Sequence, residues 1–212
     1  MSQSFQYKQL GETNAGWGVC GFTSSFYAMY KERHGTQKWL QNATHGYSVL
    51  YEIREYLMAL QGASSPMLGE IVAFTRTFGD EFKDFTIEKY IARIERASAQ
   101  EKEEEDILDN SKFGIALPPA AVADYLRRMW KAKAEVKQVD LDSLADGIVG
   151  VSRGETDDKG GRQPYLGLCH YMYRRNFNVY SWGSVFPSVA AADQWKTGGV
   201  TWRVRWLIEV KA

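Results

Sequence analysis

Cysteine is nearly missing from this chain: Cys20 and Cys169 are the only two among 212 residues. Two thiols allow one disulfide at most and no paired-cysteine metal site, so a reducing compartment is the expectation. An excess of one charge is missing as well. Lys and Arg total 26 and Asp and Glu total 26, which leaves no overall field to draw in nucleic acid or an anionic membrane. No window approaches about eighteen uninterrupted apolar residues, and MSQSFQYKQLGETNAG at the N-terminus lacks a basic stretch followed by an apolar one. Neither a membrane span nor a cleavable signal is therefore expected, and the chain reads as soluble and cytoplasmic, with export by a signal-independent route left open. Histidine occurs three times, with no histidine or carboxylate at metal-ligand spacing and no glycine pattern of a nucleotide site. No metal, cofactor or nucleotide is expected.

Aromatic side chains are abundant at 14%, with seven Trp and twelve Tyr, enough for a core and for groove walls or a partner surface besides. The length suits a single domain, 1–212, with a helical part over about 15–134 and a sheet part over about 135–212. Helices are predicted from Cys20 to about Lys31, over 49–61 behind a Ser48 cap, from Pro66 to Gly79, and over 87–99 behind a Thr86 cap. A further one is predicted from Pro118 and Pro119 to about 134, after a charge run at 100–112 that reads as an exposed connector. The pattern then turns to period two, predicting strands at 135–140, 147–153, 164–174, 177–183 and 200–210. In the last, Trp202, Val204, Trp206, Ile208 and Val210 share a face. Helices followed by antiparallel strands give the class α+β, a helical lobe facing a sheet lobe across a cleft.

One stretch in the helical part asks for chemistry. In NAGWGVCGF, Cys20 sits between glycines at the start of a helix, where backbone N–H groups and the helix dipole favour a thiolate. Of the histidines, His34 at a helix end and His45 in a polar connection read as surface residues. His170, on a strand of the sheet part, is the candidate base. If the turn in YRRNF centres near Arg175, His170 stands opposite Tyr180, with Asn178 diagonal on the same face and chemically suited to orient the imidazole. A slip of one residue would put Ser181 or Val179 there instead. Asn14, six residues before the cysteine, could add a side-chain amide to the Cys20 N–H in an oxyanion hole. Cys169 alternates away from His170 and reads as core, and Asp157 and Asp158 read as a solvated turn.

At these residues the sequence resembles the papain-like cysteine peptidase superfamily, in its bacterial effector and toxin branch more than its cathepsins. The resemblance rests on N-A-G-W-G-V-C-G-F at 14–22, the order Cys before His, the succession of helices then sheet, and Y-S-W-G at 180–183. It implies a papain-like fold and acyl transfer through a thioester: peptide hydrolysis, side-chain deamidation, or a transglutaminase-like transfer to an amine. Asn14 holds the offset of the family's oxyanion-hole amide, while Tyr180 replaces the orienting Asn of N-S-W-G. That replacement implies an orienting group at Asn178 or elsewhere, a dyad of Cys20 and His170, or a non-catalytic binding module of the same shape. The implied partners are a protein or peptide substrate and a cognate inhibitor or immunity protein, without nucleic acid.

Overall fold

The computed structural model describes residues 10, 14, 18–32, 46–99, 113–139, 145–153, 163–199 and 201–211. His34, His45, the charge run at 100–112, and Asp157 and Asp158 lie outside them.

Among the described residues, five helices come first. They are α1 (Cys20–Glu32), α2 (Gly46–Gly62), α3 (Met67–Thr75), α4 (Ile87–Ala99) and α5 (Pro119–Trp130). On α2, Ile53, Leu57 and Leu60 make the stripe that the helical period dictates, and all are fully buried. The Thr86 hydroxyl accepts from the Lys89 N–H at 3.3 Å and caps α4. Two short 3-10 turns, Arg76–Phe78 and Asp80–Phe82, continue from α3 and carry Phe78 and Phe82. The fifth helix stops before its expected end near 134, because Lys131 turns left-handed at φ 56° and the chain enters a strand at Lys133.

Six antiparallel strands form one sheet: β1 (Lys133–Gln138), β2 (Gly147–Arg153), β3 (Leu168–Arg175), β4 (Asn178–Ser181), β5 (Ser184–Phe186) and β6 (Trp202–Lys211), in the order β1-β6-β2-β3-β4-β5. The class is α+β. One face of the sheet sends Ile148, Tyr171, Tyr173 and Ile208 into the core of α1 to α5. The other sends Val149, Val151, Met172 and Leu207 into a second cluster, which includes Ala192 of α6 (Val189–Thr197). The period-two reading did not anticipate α6 or β5. Buried Asp193 of α6 accepts from the Trp202 N–H at 2.7 Å and so ties this helix to the start of β6.

Two β-bulges correct the expected alternation. On β6, Gly150 pairs with Trp206 but Val151 pairs with Val204, so Arg205 is the extra residue. Trp202 and Val204 therefore join the α6 face, while Ile208 and Val210 keep the face toward α1 to α5. On β3, Val151 pairs with His170 and Ser152 with Leu168, which makes Cys169 the extra residue. Both bulges flank Val151 at one end of the sheet. Such insertions re-aim side chains without lengthening the strand.

Among the described residues, no helix is long and apolar enough to cross a membrane.

Candidate active site

Helix α1 is buried on nearly every side, with each residue from Gly21 to Met29 inside. Its first residue, Cys20, is half-buried and its thiol is free. Gly18 precedes it at φ +68° in open space, a backbone state that favours glycine, and the Gly18 N–H donates to the Asn14 carbonyl at 2.9 Å.

Cys20 and His170 line one cavity of about 310 Å³, together with Asn14, Cys169, Trp182 and Trp202. The sulfur lies against β3 at the residue after His170, where the Tyr171 backbone N–H serves it. No hydrogen bond joins the sulfur to the imidazole among the described residues. The cavity wall formed by 115–117 is fixed from two sides. Tyr171 O–H donates to the Leu117 carbonyl at 3.0 Å, and the Thr75 hydroxyl bonds both the carbonyl and the N–H of Ala116, at 3.2 and 3.1 Å.

The imidazole is held by the Y-S-W-G string. His170 Nε2 lies 2.9 Å from Ser181 Oγ, and the ring stacks on Trp182 at 4.3 Å between centroids and 5° between planes. Trp202 approaches the same ring at 5.7 Å. The expected orienting residues stand elsewhere. The hairpin turn is Asn176 and Phe177, both at positive φ, so Tyr173 faces Tyr180 and Arg175 faces Asn178. Asn178 and Tyr180 line a separate surface depression beside Lys31 and Arg175. With the turn moved from Arg175, it is Ser181, at the end of β4, that meets the ring. Cys169, read as core, packs against the second cluster and through its bulge also lines the cavity, with its thiol 3.4 Å from the Val151 carbonyl.

Burial sets the protonation states. It pushes the Cys20 thiol up to about 11, tempered by the N–H groups of Tyr171, Gly21 and Cys20 itself. It also pushes His170 down to about 3, helped by the positive charge of Lys196. Both groups are thus neutral near pH 7. Two polar atoms of cavity-lining residues are buried without a hydrogen-bond partner among the described residues: Asn14 Oδ1 and Trp202 Nε1. Each carries a desolvation cost that a polar ligand would relieve. As oriented, Asn14 offers an acceptor that complements a peptide N–H. A flip of its amide presents the donor that an oxyanion requires.

Among the described residues, no cluster of three or more His, Cys, Asp or Glu could hold a metal ion. No family model, curated protein or solved structure matches the chain.

Proposed function

We propose that the chain is a cysteine-dependent amide hydrolase on a papain-like plan, with Cys20 as nucleophile, His170 as base and then acid, and Ser181 orienting the ring. One observation carries this reading: a cysteine that begins a helix and a histidine clamped on a facing strand line the same cavity. With the proton on Nε2, the ring donates to Ser181 and leaves the Nδ1 lone pair as base.

The Cys20 proton passes to His170 as the sulfur attacks the amide carbon, and the C=O electron pair moves onto oxygen. The N–H groups at the start of α1 and the Asn14 amide are the donors for that charge. The tetrahedral species collapses, the C–N bond breaks, and the imidazolium gives its proton to the departing nitrogen. Water then gives a proton to the ring and attacks the thioester, the C–S bond breaks, and the thiolate takes the proton back. An amine in place of water would make the same site a transferase.

A second reading, a binding module of the same fold, draws support from the protonation states. A thiol at about 11 in the same cavity as an imidazole at about 3 is not a resting ion pair. Incubating the protein and its Cys20→Ala variant with a peptide library separates the readings by mass spectrometry. Hydrolysis gives new termini, deamidation converts Gln or Asn to the acid, and transfer joins two peptides, each only with Cys20 present. Unchanged peptides in both reactions favour the binding module.

A further inference from the structure

The cavity is chemically polarised. Phe74, Phe78, Phe82 and Ile115 line its helical side, whereas Arg153 and Lys196 come from the sheet side, and no carboxylate of the described residues lines it. Lys196 Nζ sits 5.4 Å above the Trp182 ring, the indole on which His170 stacks. Arg153 pairs with Trp202 across β2 and β6, and Trp202 is the second indole near His170. Both cations are exposed, and neither pairs with a carboxylate among the described residues. Both thus stand by the indoles that flank the imidazole.

That placement has a direction when read with the chemistry. The imidazole must hand its proton to the leaving nitrogen, so the leaving fragment lies on the His170 side and the acyl fragment on the other. Resting on the hydrolase reading, we propose that the site takes peptides with an apolar side chain on the acyl side and a carboxylate close to the scissile bond on the leaving side, held by Arg153 and Lys196. The carboxylate is an acidic side chain or a free C-terminus. Ammonia, the leaving group of side-chain deamidation, has no such handle, so the site is selective for backbone amides. The carboxylate also neutralises the charge by which Lys196 depresses His170, and the ring becomes a stronger base once substrate is bound.

The test measures binding to Cys20→Ala protein by fluorescence anisotropy. The probes are labelled pentapeptides with Phe on the acyl side, carrying Glu or Gln as the first leaving-side residue, each with a free or an amidated C-terminus. At low salt the favoured carboxylate raises affinity on the order of tenfold over its neutral counterpart. The Glu/Gln pair and the free/amidated pair identify which carboxylate is read. In Arg153→Gln/Lys196→Gln the preference falls below about threefold, and raising salt to about 0.5 M erodes it in the parent, a measurement independent of how the double variant folds. Equal affinities for charged and neutral peptides, or a preference that survives both treatments, overturn the proposal. Turnover by the protein with Cys20 is read separately. Discrimination in binding with no turnover removes the hydrolase reading and keeps the carboxylate subsite, and turnover without discrimination does the reverse.

Discussion

Ser181 shows how a single side chain can decide a reading. The string Y-S-W-G puts a tyrosine where an orienting amide would be expected, and from that position the chemistry looks lost. In the fold, the serine next to it meets His170 Nε2 at 2.9 Å, and Trp182 stacks on the ring from which that bond leaves. A hydroxyl both donates and accepts, so it fixes ring orientation as an amide oxygen does but favours one tautomer less strongly. Cys20 and His170 were legible because a cysteine among glycines and a strand histidine are local signals. Ser181 was legible only as an alternative to Tyr180 and Asn178, because its role depends on where a hairpin turns. At Phe177 the turn takes a φ of 69°, which no sequence rule assigns to phenylalanine. The thiol itself gives a prediction. With burial holding it at about 11, against an ordinary 9.0, Cys20 carries about a hundredfold less thiolate at pH 8 than a free cysteine. Its iodoacetamide rate should rise about tenfold per pH unit through pH 8 to 10, and a plateau at neutral pH would reveal a resting ion pair instead.

Elements were read well where period and punctuation agree. The fourth helix, Ile87–Ala99, occupies the expected residues, and β2 runs over 147–153 as its apolar run indicated. The strand β5, Ser184–Phe186, is too short to show a period, and helix α6 escaped because Trp195, its largest apolar side chain, is exposed and leaves no inward stripe to see. The bulges escaped for a different reason: one extra residue reverses every face beyond it and leaves no mark in composition. Gly150 is where the strands crowd. A Cβ there would come within 2.9 Å of Leu168 Cδ1 and 3.1 Å of both Trp206 Cβ and Tyr171 Cε1. Gly150→Ala should therefore cost about 1–3 kcal/mol by overpacking, and it should loosen Tyr171, whose hydroxyl holds the 115–117 wall. Urea unfolding gives the first effect and proteolysis near Leu117 reports the second. Unchanged stability would mean that the crowding relaxes without cost.

Across the whole molecule, the layers are joined by a few polar ties that converge around the sheet. Glu32 at the end of α1 accepts from Tyr173 O–H and from Arg175 on β3, each at 2.9 Å, and the Gly183 N–H donates to the Tyr27 hydroxyl at 3.1 Å. These ties set the cysteine-bearing helix against the strand that carries the histidine. Burial of that histidine makes stability depend on pH. An unfolded chain takes up a proton on this ring near pH 6.5, while the folded ring stays neutral to about 3. The contribution is complete above pH 6.5 and is lost as pH falls toward 3, at up to about 1.4 kcal/mol per pH unit. Urea unfolding at pH 7, 5 and 4 should show a shallower loss for His170→Gln than for the parent. Parallel losses would mean that the ring is solvated in solution.

The most direct measurement is adduct formation with a peptidyl vinyl sulfone that carries an apolar residue next to the electrophile, followed by peptide mapping. The expected result is a single modification at Cys20 that is abolished in His170→Ala and slowed about tenfold in Ser181→Ala. Modification of Cys169 to the same extent, or an undiminished rate at Cys20 without His170, would contradict the pairing of this sulfur with this imidazole.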